Sequence, residues 1–183
     1  NFGDGVYGGV FVATMISTAF TAPNVDAIVR AGIESVPAGS RYREVLDQTF
    51  ASWKRGDSFD LNLAALYQRW GTDDRCIEWA GAADPLNIDA KLNGAFILLG
   101  LLYGKGDLHQ SIRYATACGQ DSDCNPSNVG SVLGAFLGRD ALASDRTDWL
   151  SRLDSTQRFQ TTSFTLDELI DLNIELARIV VES

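Results

Sequence analysis

The run of residues from Ala90 to Tyr103 is almost wholly apolar, with only Lys91 and Asn93 as strongly polar interruptions. A helix that is apolar on every side has to be buried, because no face of it suits water. We therefore predict a central helix here, with the other elements packed around it. The chain has 183 residues, 45% of them hydrophobic, which is enough for one domain with a sizeable core.

Apolar residues recur at helical spacing along the rest of the chain. Asn24 and Ser40 are predicted N-caps, and Thr165 with Glu168 forms a capping box. Alternation with period two is weak and hairpin dipeptides are missing. We therefore predict an all-α fold, as a single domain over residues 1–183. The predicted helices cover residues 7–20, 24–32, 40–53, 61–70, 90–103, 108–118, 127–137, 147–153 and 165–181.

Charge and cysteine content restrict the partners and the compartment. The formal net charge is −9, which argues against nucleic acid, because binding a phosphate backbone needs clustered lysine and arginine. The apolar segment from Val6 to Phe20 is shorter than the roughly 20 residues of a membrane span, so we expect no membrane insertion. Three cysteines without a disulfide framework, Cys76, Cys118 and Cys124, indicate free thiols. We therefore expect a cytoplasmic protein.

The acidic motif Cys118-Gly-Gln-Asp-Ser-Asp-Cys-Asn125 precedes a glycine-rich apolar segment. It places Asp121 and Asp123 one residue apart at the start of a predicted helix. Carboxylates suit Mg²⁺ and Ca²⁺, and the free N–H groups of a helix N-terminus suit an anionic ligand. The motif therefore predicts a divalent metal site that a substrate can reach.

Two other interpretations of the motif compete with a metal site. The two aspartates would also serve as helix caps, since aspartate is favoured there. A calcium loop of the EF-hand type fails, because Pro126 stands where glycine is required and Val132 stands where a glutamate should chelate.

Other candidate features are weaker. Residues 3–9 form a glycine-rich turn that has neither the lysine nor the preceding strand of a phosphate-binding loop. His109 is the only histidine, and its place at a predicted helix start on the surface argues against a hydrolase built on it. Glycines 130, 134 and 138 lie on one stripe of a predicted helix, and we expect another helix to pack closely against them.

Four stretches of the chain together resemble the ADP-ribosylglycohydrolase family, in a bacterial branch. The acidic motif with the glycines after it is similar to that family's C-terminal Gly-x-Asp-x-Asp-Thr metal motif. The other three follow in the family's order, and the resemblance covers most of the chain. They are Asp4-Gly-Val-Tyr-Gly-Gly-Val-Phe-Val-Ala13, Ile33-Glu-Ser-Val-Pro37 with Ser40-Arg-Tyr42, and Ile88-Asp-Ala-Lys-Leu-Asn93-Gly through Leu101-Leu-Tyr-Gly104 to Gly106-Asp107.

The resemblance implies an orthogonal multi-helix bundle with two Mg²⁺ ions in a cleft. In the family these ions hold ribose hydroxyls and a water, and an N- or O-glycosidic bond is hydrolysed. Asp121 and Asp123 match the family's two C-terminal metal-binding carboxylates, so the resemblance implies that they are metal ligands and catalytic residues. The implied substrate-binding residues are Asp4, Tyr7, Gly8, Gly9, Asn93 and Asn125.

The chain departs from the family pattern in two places. Cys124 stands where the family has a threonine that helps to bind metal, and a thiol is a poor Mg²⁺ ligand, so Asn125 becomes the candidate oxygen donor. The family's other metal motif, Thr-Asp-Asp, lies far upstream. Residues 72–74 spell the same letters but lie too close to Asp121, so we interpret them as a coincidence. The chain starts at Asn1, and we expect it to be the C-terminal part of the family fold, lacking the N-terminal helices and carrying half a metal site.

The leading hypothesis is a Mg²⁺-dependent hydrolase that cleaves the glycosidic bond of an ADP-ribosylated protein, or of a small ADP-ribosyl or nucleoside substrate. The alternative is a catalytically inactive relative, a helical binding module in which the acidic turn only caps a helix. A third hypothesis is a cation-binding helical domain unrelated to ADP-ribose. A bundle without its first helices would expose apolar surface, so we expect a separate N-terminal segment or self-association.

Overall fold

The computed structural model describes residues 3–71, 89–143 and 164–182. The described residues contain eight α-helices, which confirms the predicted all-α fold. The predicted helix at 147–153, Cys76 and the Thr-Asp-Asp sequence at 72–74 lie outside the described residues. The helices are α1 (Asp4–Ala19), α2 (Val25–Glu34), α3 (Arg41–Arg55), α4 (Phe59–Trp70), α5 (Ala90–Gly104), α6 (Leu108–Ala117), α7 (Cys124–Ala143) and α8 (Leu166–Glu182).

Helix α5 is the central element, as its apolar sequence predicts. It contacts α1, α2, α3, α4 and α6. One side of it packs Leu98 and Leu101 into a core cluster with Phe11 and Met15 of α1. The opposite side packs into a second cluster that contains Leu66 and Trp70 of α4 together with Val45, Leu92, Phe96 and Leu99. Because α5 is apolar on both sides, it supplies side chains to two cores at once.

Glycines of α5, rather than those of α7, carry the closest helix packing. A Cβ built on Gly100 would lie 2.9 Å from the Ala115 Cβ, so α5 and α6 approach each other closely. The close approach expected at Gly130, Gly134 and Gly138 is not found among the described residues. Among the described atoms, none lies within 4 Å of a Cβ built at any of these three positions.

Side-chain caps fix most helix starts. Asn24 accepts a hydrogen bond from the Ala27 N–H at 2.9 Å, and Ser40 accepts one from the Arg43 N–H at 3.1 Å, which confirms both predicted caps. The capping box is confirmed as well. The Thr165 N–H donates to the Glu168 carboxylate at 2.8 Å, and the Glu168 N–H donates to the Thr165 hydroxyl at 3.2 Å.

The chain divides into two compact units, residues 1–138 and 139–183. The first contains α1 to α6 and most of α7, up to Gly138, whose φ of 75° interrupts the helical geometry. The described part of the second contains the end of α7 and the whole of α8. The prediction of a single domain stays a prediction. Among the described helices, none has the length and apolar character that crossing a bilayer requires.

Candidate metal and substrate site

The acidic motif forms the tight turn between α6 and α7. Gly119, with φ of 83°, and Gln120, with φ of 54°, are both left-handed. For a residue with a side chain this conformation costs on the order of 1–2 kcal/mol. At position 119 a Cβ would also lie 3.0 Å from the Tyr67 hydroxyl, so a side chain there would be both strained and crowded. Strain of this kind persists only where the surrounding contacts hold it.

Three hydrogen bonds fasten the turn to the helices around it. The Tyr67 hydroxyl donates to the Cys118 carbonyl oxygen at 2.6 Å, and the Ser122 hydroxyl donates to the Thr116 carbonyl oxygen at 3.2 Å. The Asp121 carboxylate accepts from the Cys124 N–H at 3.2 Å, which starts α7 three residues earlier than predicted. Asp121 is therefore a helix cap as well as a candidate ligand.

Asp121, Asp123 and Cys124 form a group of potential metal ligands. One ligand atom from each residue lies within 4.8 Å of the other two, and no other group of three acidic, cysteine or histidine side chains in the described part of the chain does this. Asp121 is half-buried, while Asp123 and Cys124 are exposed. A surface depression of about 410 Å³ adjoins them and is lined by Asp123, Cys124, Ser127 and Asn128.

The charge states of this group favour oxygen ligands over sulfur. A hydrogen bond with the Asp121 carboxyl group, followed by the backbone N–H groups of Asp123 and Cys124, lowers the pKa of Asp123 below its usual range. The pKa of the Cys124 thiol is raised, first by its hydrogen bond to Asp121 and then by the charge of Asp121. The carboxylate is therefore ionised at neutral pH and the thiol stays protonated. Such a donor set fits a hard cation rather than a thiolate-bound zinc ion.

Asn125 and Asn93 are brought together, although 32 positions separate them in the sequence. The Asn93 Nδ2 donates to the Asp89 carbonyl oxygen at 3.0 Å, so the Asn93 Oδ1 is left as an acceptor. The Asn125 Nδ2 donates to this Oδ1 at 2.6 Å. Both side chains are buried, with 1% of Asn125 and 8% of Asn93 exposed. This chain of bonds fixes the orientation of the Asn125 amide and ties the first turn of α7 to the start of α5.

A second polar group adjoins Asn93 on the same end of α5. Asp89 caps α5 by accepting from the Lys91 N–H at 2.8 Å, and its other carboxylate oxygen pairs with the Lys91 ammonium group. Both side chains are buried. Sequence reasoning missed this pair, although a lone lysine inside an apolar run is a signal that a buried counter-charge must exist.

The Tyr42 hydroxyl lies beside Gly8 and Gly94. A Cβ built at Gly8 would lie 3.3 Å from the hydroxyl oxygen, and one built at Gly94 would lie 2.6 Å from the Tyr42 Cζ. Burial first, and then the charges of Asp4 and Asp89, raise the pKa of Tyr42 above its usual range. Asp4 and Gly8 are both predicted substrate-binding residues, and both lie near Tyr42, which in turn contacts the start of α5. Tyr42 itself was not predicted to belong to the site.

The remaining predicted substrate-binding residues are placed less centrally. Tyr7 packs, partly buried, against the hydrophobic core. Gly9 is exposed, with no described atom within 4 Å of a Cβ built on it. No described contact joins either residue to the acidic turn. His109 lies in the first turn of α6 and is half-buried.

The early residues of four helices meet at this end of the first unit. Tyr42 is the second residue of α3 and touches the fifth residues of α1 and α5, while Asn125 is the second residue of α7. Each helix N-terminus carries about half a positive charge from its aligned peptide dipoles. These ends favour negative charge, and the helices concerned carry Asp4, Asp89, Asp121 and Asp123 at or just before their first turns.

An all-helical domain with a paired-carboxylate turn suits more than one class of protein, and comparison with protein families is more specific. The family model described as ADP-ribosylglycohydrolase matches residues 2–178. Because the match covers nearly all of the chain, the protein belongs to the ADP-ribosylglycohydrolase family, as the sequence motifs indicated. Members of this family act on ADP-ribosylated substrates. Comparison with curated proteins and with solved structures gave no match.

Proposed function

We propose that this chain provides a Mg²⁺ site for hydrolysis of the glycosidic bond that links an ADP-ribosyl group to a protein or to a small molecule. The observation that carries the proposal is the group formed by Asp121, Asp123 and Cys124, whose ligand atoms lie within 4.8 Å of one another in a chain of this family. The fastened turn supports it, because a metal site needs ligands that are held in place before the ion arrives.

The donor set fits a hard divalent ion. Mg²⁺ is commonly held by one or two carboxylates and keeps several waters, so Asp121 and Asp123 suffice as its protein ligands. When bound, such an ion supplies positive charge that orients sugar hydroxyls and stabilises charge at the reacting carbon. The chain itself holds Asp123 ionised and keeps the Asn125 amide fixed beside the turn.

Replacing each carboxylate by its amide tests the ligand role. Asp121→Asn keeps a capping oxygen but removes the charge, and Asp123→Asn removes the exposed charge. We expect each change to weaken Mn²⁺ binding, measured by electron paramagnetic resonance, by at least about tenfold, since a lost charged ligand is worth 1.4 kcal/mol or more. Mn²⁺ is a spectroscopic substitute for Mg²⁺ in oxygen sites.

The matched control is Asp107→Asn. Asp107 is also a helix-capping aspartate, which accepts from the Gln110 N–H at 2.7 Å, but it lies at the start of α6 outside the acidic turn. Its replacement should leave Mn²⁺ affinity unchanged. Equal Mn²⁺ affinity in the wild type, Asp121→Asn and Asp123→Asn would rule out the ligand role and the metal-assisted reaction with it.

A second candidate function is an inactive helical module that binds ADP-ribose without hydrolysing it. The protonated thiol of Cys124, in the place of a family threonine, favours this candidate. It predicts ADP-ribose binding that Asp121→Asn leaves unchanged. We further propose a cytoplasmic location, in line with the free thiols of Cys118 and Cys124. Exposed Val6 and Val10 on α1 support a separate helical segment or a second copy as a partner.

A further inference from the structure

The Tyr42 hydroxyl forms no hydrogen bond with another described residue, although the residue as a whole is nearly buried. Tyr42 is 1% exposed, and no described residue forms a hydrogen bond with its hydroxyl group. Two other tyrosines of the first unit do have hydroxyl partners. The Tyr67 hydroxyl donates to the Cys118 carbonyl oxygen at 2.6 Å, and the Tyr103 hydroxyl donates to the Asp57 carbonyl oxygen at 2.8 Å. The Tyr42 hydroxyl is not among the fully buried unpaired polar atoms of the described residues, so it keeps a small accessible surface from which it can donate to a molecule outside the protein.

Two glycines make room for the head of this phenol ring. Gly8 of α1 and Gly94 of α5 stand on either side of it, and a Cβ on Gly94 would overlap the ring. Neither glycine has a positive φ, so backbone conformation does not demand glycine at these positions. What demands it at Gly94 is the presence of the hydroxyl-bearing end of Tyr42.

The charges around the hydroxyl restrict what it can bind. The nearby carboxylates are those of Asp4 and Asp89. Asp89 is already paired with Lys91, whereas Asp4 forms no ion pair within the described residues. An anionic oxygen would be repelled by Asp4. A neutral hydroxyl fits, because it can accept from Tyr42 and donate to a carboxylate.

We propose that Tyr42 recognises the ligand, by donating a hydrogen bond to a sugar hydroxyl whose own proton is directed to the Asp4 carboxylate. The position fits the site, since Gly94 directly follows Asn93, which is bonded to Asn125 beside the acidic turn. The assignment of the ligand as a sugar rests on the proposed function. Because the surrounding carboxylates and burial keep the hydroxyl protonated, Tyr42 acts as a donor and not as a base.

Tyr42→Phe tests this role, with Tyr103→Phe as the matched control. Both changes remove one hydroxyl group from a tyrosine of the same unit. We expect Tyr42→Phe to weaken ADP-ribose binding, measured by calorimetry, by about tenfold, the value of one hydrogen bond. Its melting temperature should not fall, because the protein loses no internal bond. Tyr103→Phe should lower the melting temperature, because its hydroxyl bonds Asp57 and Asn62, and should leave ADP-ribose affinity unchanged.

The outcomes separate this proposal from the proposed function. Unchanged ADP-ribose affinity in Tyr42→Phe would overturn the role of Tyr42 and leave the metal site untouched. A melting temperature lowered as much as in Tyr103→Phe would show a structural hydroxyl and overturn the role as well. Pyrophosphate binding weakened by Tyr42→Phe would overturn the assignment to a sugar hydroxyl. A wild-type chain that binds no ADP-ribose would refute the proposed substrate, and the melting comparison would still decide whether the hydroxyl is free.

Discussion

Replacing Asn93 by alanine should break the link between the first turn of α7 and the start of α5. In the wild type the Asn125 Nδ2 donates to the Asn93 Oδ1 at 2.6 Å, and both side chains are buried. The Asp89 carbonyl oxygen, which accepts from the Asn93 Nδ2, also accepts from the Asn93 backbone N–H at 2.9 Å. That oxygen therefore stays satisfied in the variant, and the unpaired group is the Asn125 amide.

The cost of Asn93→Ala follows from what is left without a partner. An unpaired buried amide donor costs about 1–3 kcal/mol, and the lost bond to Asp89 adds about 1 kcal/mol. We therefore expect the free energy of unfolding to fall by about 2–4 kcal/mol. Asn125→Ala leaves one unpaired acceptor, on Asn93, and should cost about 1–3 kcal/mol. The double variant leaves no unpaired amide between the two positions, so its cost should be about 1–2 kcal/mol less than the sum.

Urea denaturation followed by circular dichroism on the full chain measures all three variants. Asn62→Ala combined with Asn93→Ala is the control cycle. Asn62 is a buried asparagine that donates to the Thr49 carbonyl oxygen at 2.9 Å and shares no partner with Asn93. That pair should be additive within about 0.5 kcal/mol. If Asn93→Ala and Asn125→Ala are equally additive, the amide chain does not tie α7 to α5 and the reasoning is refuted.

Two further predictions concern packing and pH. Gly94→Ala should lower the free energy of unfolding by roughly 1–3 kcal/mol, because the new methyl group would overpack against Tyr42. Gly5→Ala, with no described atom near its Cβ position, should stabilise the fold by a few tenths to about 1 kcal/mol. Thermal unfolding compares the two variants, and equal effects would contradict the close packing of Tyr42 against Gly94. Burial raises the pKa of the Cys118 thiol to about 12, so the folded chain keeps this proton to higher pH than the unfolded chain does. The contribution of the protonated thiol to the free energy of unfolding is therefore complete below about pH 9 and is lost as the pH rises towards 12. Between pH 8 and pH 10 the wild type should therefore lose about 1.4 kcal/mol more unfolding free energy than Cys118→Ala in urea titrations, and equal losses would show that the thiol is not held protonated.

Local sequence patterns predicted most of the helices, because helix formation depends on near neighbours. The caps at Asn24 and Ser40 act over three residues, and each is present as predicted. The central place of α5 follows from composition alone, since a helix without a polar face has to be buried. The starts of three helices were less well placed, namely those of α1, α4 and α7. At α7 the Asp121 cap moves the start to Cys124.

Contacts between the residues of the candidate site could be predicted only where those residues are adjacent in sequence. Asp121, Asp123 and Cys124 lie within one turn, so their proximity follows from the motif. The contact of Tyr42 with Gly94 joins positions 52 residues apart, and nothing in either neighbourhood specifies it. The glycine stripe at 130–138 has no close neighbour among the described residues, since a stripe permits close packing but does not supply a partner.

The capping and metal-binding interpretations of the acidic residues are compatible, and comparing Asp89 with Asp121 shows why. Both cap a helix through one carboxylate oxygen. At Asp89 the second oxygen is neutralised by the Lys91 ammonium group, so the charge is balanced within the fold. At Asp121 and Asp123 no lysine or arginine in the described ranges forms an ion pair.

The ionised Asp123 carboxylate has no fixed cation beside it in the described ranges, and the α7 N-terminus offsets only about half a charge. A cation from solution is the simplest remaining source of balance, and the exposure of Asp123 leaves it an entry path. Capping therefore accounts for where Asp121 is held, while the missing counter-charge favours a metal ion beside it.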